Sequence, residues 1–350
     1  MKDIIEKFYN EWNEDGDFSG VFSVSGPDGV IFEKVRGYRN LSEKLPNTAD
    51  TAIAVASGTK TFTGLAVCKL IDEGRLSPKG GKLTLESKLH DLLPYDLGQI
   101  NKDVTVFHLL THTSGVGDYI DEDAEDSEAR LAALYAKYPC YLWTRLDYYL
   151  QMITHLPPKF APGARFGYSN AGYVLLGLVI EAVTGMTYQR YVQENIIKPN
   201  GLTHTGFYRM DDLPANTAFG YLEDEDTGDL RANIFNVPIM GGSDGGIFTC
   251  AADLDKLWRA IFENKILSEA MTQAFLSPQV VIDEEEGESY GLGVYRDFTD
   301  GKLAYTASGW DAGVSFFSSY YPRTKIVASA IRNTEMVASG LRYDLFNEFA

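Results

Sequence analysis

Cysteine is scarce in this chain: Cys68, Cys140 and Cys250 stand alone, without the paired spacing of a zinc or redox site. Such a set suits small buried thiols in a reducing compartment. No apolar run approaches the roughly 20 residues that span a membrane. The N-terminal Met1-Lys2-Asp3-Ile4-Ile5-Glu6-Lys7 lacks the apolar core of a signal peptide, so a cytoplasmic location is the expectation. Positive charge is short as well. Lys and Arg total 31 against 49 Asp and Glu, a formal net charge of -18, which makes nucleic acid and anionic membranes poor partners. Histidine is limited to five residues. His108 and His112 are four apart, but no acid is spaced as in a His-Glu-x-x-His site and no third ligand is evident, so no metal is expected. Internal repeats, linkers and low-complexity segments are also missing.

What is present is enough for a large core: 45% of the 350 residues are hydrophobic. The acidic runs Asp121–Asp126 and Asp283–Glu286 read as solvated loops. Residues 3–14 carry helical apolar spacing. Phe18–Val24 and Val30–Tyr38 read as strands joined by a Gly-Pro-Asp-Gly turn. A buried helix runs from Lys60 to a stop at Gly74. The span 81–235 is predicted to be mostly helical, with helices over Thr105–Leu110, Glu128–Tyr138, Leu146–His155, Ala171–Thr184 and Tyr188–Ile197. Strands return at Tyr290–Arg296, Leu303–Ser308, Gly313–Tyr321 and Lys325–Ile331, before a last helix at 338–349. The expectation is an α/β (α+β) fold: residues 1–80 and 236–350 form a discontinuous domain with an antiparallel sheet flanked by helices, and 81–235 form an inserted helical lobe. A site at their junction is a cleft suited to a small molecule.

The chemistry centres on Val55-Ala56-Ser57-Gly58-Thr59-Lys60. Three residues of helix bring Ser57 and Lys60 to nearly one face, and no other serine in the chain has a lysine at this spacing. A buried amine loses basicity until it can take a proton from a hydroxyl, which turns serine into a nucleophile. Tyr168-Ser169-Asn170 places a phenol two residues from an amide, a proton relay and a hydrogen-bonding arm in one loop. Gly241-Gly242-Ser243-Asp244-Gly245 fits the Gly-x-Ser-x-Gly elbow of α/β-hydrolases, but that fold needs a histidine later in the chain and the last one is His204. The loop therefore reads as structural or substrate-facing. Tyr141, Trp143, Tyr148 and Tyr149 read as core, or as a wall of a substrate pocket.

Taken in order, these motifs resemble the serine β-lactamase and penicillin-binding-protein superfamily, in its class C-like branch of esterases, D-aminopeptidases and D,D-peptidases. Leu109-Leu110-Thr111-His112-Thr113-Ser114-Gly115 and Gly245-Gly246-Ile247-Phe248-Thr249-Cys250-Ala251-Ala252-Asp253-Leu254 resemble two further segments of that family. The resemblance implies Ser57 as acylated nucleophile, Lys60 as its basic partner and Tyr168 as general base that also protonates the leaving group. It implies that Asn170 orients the substrate or Lys60. The third motif departs from the family: Ala307-Ser308-Gly309-Trp310 carries alanine where the family has lysine or histidine. Backbone N–H groups of Ser57 and Trp310 would still form an oxyanion hole, and Ser308 could supply a neutral hydrogen bond. A lost charge-assisted contact to a carboxylate is worth roughly 1.5–3 kcal/mol. The expectation is thus a serine hydrolase of small-molecule esters, amides or peptides that does not require a substrate carboxylate, with no cofactor. One alternative is a D,D-peptidase or β-lactamase whose cation is Arg296 or Arg332 instead. The other is an inactive homologue that binds peptide or cell-wall fragments.

Overall fold

The computed structural model describes residues 1–122, 126–224, 226–335 and 339–350. Part of the acidic run Asp121–Asp126, at 123–125, and residue 338 at the start of the last expected helix lie outside the described residues.

Helix α1 (Lys2–Trp12) precedes β1 (Gly20–Gly26) and β2 (Gly29–Arg36). Helices α2 (Thr59–Asp72), α3 (Val106–Leu110), α4 (Ser127–Lys137), α5 (Asn170–Thr184) and α6 (Ala251–Phe262) follow. The chain then returns through β3 (Val280–Asp283), β4 (Glu288–Tyr290), β5 (Tyr295–Thr299), β6 (Lys302–Asp311), β7 (Val314–Tyr321) and β8 (Ile326–Arg332) to α7 (Ser339–Phe349). The eight strands form one antiparallel sheet in the order β2-β1-β8-β7-β6-β5-β4-β3, so the first and last parts of the chain meet where β1 pairs β8. Successive side chains of a strand face opposite sides. On one side Phe22, Phe317 and Ala330 pack under α1 and α7 through Tyr9 and Leu345. On the other Phe316, Tyr320 and Ile331 join a larger core with α2, α5 and α6. Because both faces are covered, β1, β7 and β8 are buried along their whole length, and their sequences read as apolar or small without clean alternation.

Three expectations change. The single strand expected over Tyr290–Arg296 is two, because Gly291-Leu292-Gly293-Val294 leaves the ladder. Gly293 has φ +123°, and the bend lets the α2 backbone at Gly64 pass against Leu292, where a side chain at residue 64 would collide with the Leu292 carbonyl. The helix expected over Leu146–His155 is a 3₁₀ turn, Leu146–Tyr149, running into a short α-helix, Leu150–Ile153. The span 81–235 holds long irregular connections between its helices, fixed by hydrogen bonds such as Lys159 N to Gly115 O and Gly163 N to Thr113 O, both 2.8 Å. Apolar periodicity shows which segments are buried but cannot tell a packed loop from a short helix. Among the described residues no single helix is long and apolar enough to cross a membrane.

Candidate active site

Ser57 sits in a 3₁₀ turn, Ala56–Gly58, immediately ahead of α2. Ala56 has φ +44°, a left-handed conformation that costs a β-carbon residue on the order of 1 kcal/mol. The turn is fastened on both sides: Val55 N–H donates to Ile247 O (2.9 Å), and Thr59 Oγ1 donates to Ala56 O (2.7 Å). Strained backbone at a nucleophile persists where neighbours over-determine it.

The three side chains singled out by spacing converge. Lys60 Nζ donates to Ser57 Oγ at 2.9 Å, and the Tyr168 hydroxyl donates to the same oxygen at 2.7 Å. Asn170, the first residue of α5, accepts from Lys60 Nζ through Oδ1 (2.7 Å) and donates through Nδ2 to Glu122 (2.8 Å). The helix is capped by Ser169, whose Oγ accepts the Gly172 N–H, which leaves the Asn170 amide for Lys60. The Gly241–Gly245 loop closes the cage, since the Asp244 carbonyl accepts from Lys60 Nζ at 2.7 Å. Lys60 is thus 3% exposed, with its amine on three oxygens and 4.8 Å from the centre of the Tyr168 ring.

The electrostatics follow from burial. Desolvation lowers the Lys60 pKa, against the opposing pull of Asp244, Glu122, Asp118 and Asp311. Desolvation raises that of Tyr168 well above the usual phenol value, and Glu122 adds to the rise. Asp118 is pushed up to about 7 by burial, although it accepts the Asn170 and Ala171 N–H groups at the start of α5. Asp311 is also pushed up to about 7 by burial. Spacing motifs missed these carboxylates. Asp118 lies just past the Leu109–Gly115 segment and Asp311 just past the third motif, positions that only the fold brings to the site, while Glu122 lines the cleft from an exposed position.

The third motif lies on β6. β5 pairs β6 only as far as Thr306, and beyond it the β6 edge runs against the Ser57 turn. Contact is close enough that a β-carbon on Gly309 would stand 2.6 Å from Ser57 N and 2.5 Å from Val55 O, so only glycine fits there. Ser308, Gly309 and Trp310 line an open cleft of about 1050 Å³ together with Ser57 and Tyr168. Ala307 is buried against the helical face. Neither arginine considered as a replacement cation reaches the site. Arg332 is 1% exposed, with its guanidinium over Trp12 and Phe18 and 3.5 Å from Asp17. Arg296 points to the other face of β5 and lies over Phe298. The cation that does line the cleft is Arg342, on α7, held 3.7 Å from Asp297.

No cluster of His, Cys, Asp or Glu able to hold a metal occurs among the described residues. His108 instead caps α3, its Nδ1 accepting the Thr105 N–H at 3.3 Å. Trp143 and Tyr149 are buried, whereas Tyr141 is exposed; Trp143 lines a second, less open pocket of about 260 Å³ that Ser57 also lines.

A large antiparallel sheet with a Ser-Lys-Tyr cluster at the mouth of a buried helix defines a class of serine acyltransferases. The chain matches the Beta-lactamase family over residues 5–343 and belongs to that family. It is 25% identical over 333 residues to a penicillin-binding protein of Bacillus subtilis (strain 168), an alignment covering 92% of this chain and 69% of the relative. The crystal structure of a penicillin-binding protein from Bacillus halodurans superposes with a TM-score of 0.86 at 36% identity, covering 99% of both chains. A D-stereospecific amidohydrolase from Streptomyces sp. shares the fold, with a TM-score of 0.81 at 23% identity over the full length of both chains. The chain is a serine hydrolase of the β-lactamase and penicillin-binding-protein type, working by acyl transfer.

Proposed function

We propose that the chain hydrolyses small ester, amide or peptide-like substrates through an acyl-enzyme on Ser57, without requiring a substrate carboxylate. The observation that carries this reading is the pair of hydrogen bonds, 2.9 and 2.7 Å, that bring an amine and a phenol to one serine oxygen. With its pKa lowered, Lys60 is more readily in the neutral form that can accept a proton, and with its pKa raised, Tyr168 keeps the proton that it can give. This divides the work differently from the family expectation, which makes Tyr168 the general base. As Ser57 Oγ attacks the carbonyl carbon, its proton passes to neutral Lys60. As the tetrahedral adduct collapses, Tyr168 gives its proton to the leaving group and is reprotonated from the Lys60 ammonium beside it. Water then repeats the sequence on the ester. The oxyanion is held by the Ser57 and Trp310 N–H groups, which need β6 to lie against the turn and need no side chain.

Ala307 supports the absence of a carboxylate requirement, because no cation stands at that position and Arg342 is already engaged with Asp297. The sheet segments 1–80 and 236–350 and the intervening 81–235 serve as the two sides of the cleft. The test is active-site titration with p-nitrophenyl acetate: one equivalent of p-nitrophenolate is released in a burst from the wild type and none from Ser57→Ala. A Ser57→Ala protein that retains the burst overturns the reading.

A further inference from the structure

Two cavities meet at Ser57, and Tyr168 separates their roles. Tyr168 lines the larger cleft and does not line the smaller pocket. A group that protonates the leaving group has to stand beside it. The leaving group therefore lies in the cleft, and the acyl portion enters the pocket. This assignment rests on the hydrolase reading above.

The pocket is small, about 260 Å³, with Tyr119, Tyr135 and Trp143 among its walls and Asp311 at its rim, where β6 turns into β7. Ring faces carry negative charge density and attract organic cations. The carboxylates around it differ in how fully they are used. Asp118 caps α5 through the Asn170 and Ala171 N–H groups, Glu122 accepts from Asn170 Nδ2, and Asp244 accepts from the Tyr119 hydroxyl. Asp311 accepts only the N–H of its own neighbour, Ala312, at 2.8 Å, and no lysine or arginine forms an ion pair with it among the described residues. Its orientation is fixed by the strand end, where Asp311 pairs with Val314 across a turn whose Gly313 has φ +77°. A carboxylate held open in an aromatic pocket, one residue from a proposed oxyanion donor, has a cation as its natural complement.

We propose that Asp311 and the aromatic walls of this pocket select substrates whose acyl portion carries a positive charge, an ammonium or guanidinium on a short aliphatic or aromatic chain. An α-ammonium group and a basic side chain offer the same chemistry. An anionic acyl group is repelled.

The test compares matched p-nitroanilides in both D and L configurations on the full chain. Phenylalanine p-nitroanilide is set against its Nα-acetyl derivative, and Nα-acetyl-lysine p-nitroanilide against the Nα-acetyl-norleucine compound. In at least one pair the cationic member is expected to have a kcat/KM at least about tenfold higher, and the ratio is expected to fall by about tenfold or more in Asp311→Asn, the order of a lost charge-assisted contact. Because each ratio is taken within one protein, partial loss of folded enzyme cancels. As a measurement independent of anilide turnover, benzylamine is expected to inhibit p-nitrophenyl acetate hydrolysis more strongly than benzyl alcohol in the wild type, and this difference to shrink in Asp311→Asn. Ratios near one in both pairs with equal inhibition by the two probes, or preferences unchanged in Asp311→Asn, overturn the proposal while the burst with p-nitrophenyl acetate upholds the hydrolase. A wild type without that burst overturns both.

Discussion

The imidazole of His112 lies face to face with the ring of Tyr168, centroids 4.5 Å apart and planes inclined by 28°. His112 also holds the backbone on either side of that tyrosine: its carbonyl accepts the Gly167 N–H at 2.8 Å, and its Nδ1 accepts the Ser169 N–H at 3.0 Å. The accepting role requires a neutral ring with the proton on Nε2, and burial lowers the His112 pKa well below the usual value. His112 has φ +57°, a further strained residue held in place beside the site. His112→Ala is expected to lower kcat by roughly 10²-fold with little change in KM, because a shift of about 1 Å in Tyr168 misaligns proton transfer. His112→Asn, whose amide oxygen can accept from Ser169, is expected to recover part of that loss. Steady-state kinetics on the three proteins, with circular dichroism to confirm folding, decides it.

Tyr168 and Lys60 are expected to fail differently. Lys60→Met removes the proton acceptor and should slow every substrate by at least about 10²-fold. Tyr168→Phe removes the donor to the leaving group, so acylation by amides should fall by about that factor, while the rate of the p-nitrophenolate burst from esters, whose leaving group needs no proton, falls less. An equal loss on both substrate types in Tyr168→Phe would return the general-base role to the phenol.

Gly309→Ala tests the contact between β6 and the nucleophile turn. The added carbon would lie 2.5 Å from Val55 O and 2.6 Å from Ser57 N, so strand and turn have to part. The expected loss in kcat is about 10²–10³-fold, the range for removing an oxyanion donor. Val55 and Phe316, the cross-strand partner of Gly309, both belong to the core, so a fall in melting temperature is expected to accompany the loss.

The carboxylates give two pH signatures. Asp244 is the largest charge raising the Lys60 pKa. Removing it in Asp244→Asn lowers that pKa further, so the rising limb of acylation rate against pH should shift toward lower pH. Asp311 ionises near 7 when folded, against an ordinary value of 3.8. The folded chain therefore binds more protons than the unfolded chain between those values, and this group lowers stability as pH rises through that window. Asp311→Asn should accordingly be more stable than the wild type above pH about 7, on the order of 1–2 kcal/mol after allowance for its partial exposure. The gain should vanish toward pH about 4. Urea unfolding at both pH values measures it, and a stabilising effect of this kind marks a residue kept for function.

Much of the sheet was legible because β1, β2 and the strands from Lys302 onward carry β-branched and aromatic runs between Gly, Pro and Asp turns. The break at Gly291–Val294 was not, since it answers to α2 packing across from Gly64, a contact between residues more than 200 apart in the chain. At the site, helical spacing marked Ser57 and Lys60 as a candidate pair. Tyr168, Asn170 and the β6 edge needed the family resemblance to bring them to the same place. The Gly241–Gly245 loop fitted a different nucleophile motif, and here it gives its Asp244 carbonyl to Lys60. Glu122 and Asp311 had no such motif, because they come from distant stretches of the chain and their nearness exists only in the fold.

The central claim is a covalent ester on one named oxygen. Brief reaction with an activated ester such as p-nitrophenyl acetate, acid quenching, digestion and peptide mass spectrometry should find the acyl mass on the peptide containing Ser57, and on no peptide of Ser57→Ala. A wild type that turns the ester over with Ser57 unmodified, matched by equal turnover in Ser57→Ala, would contradict it.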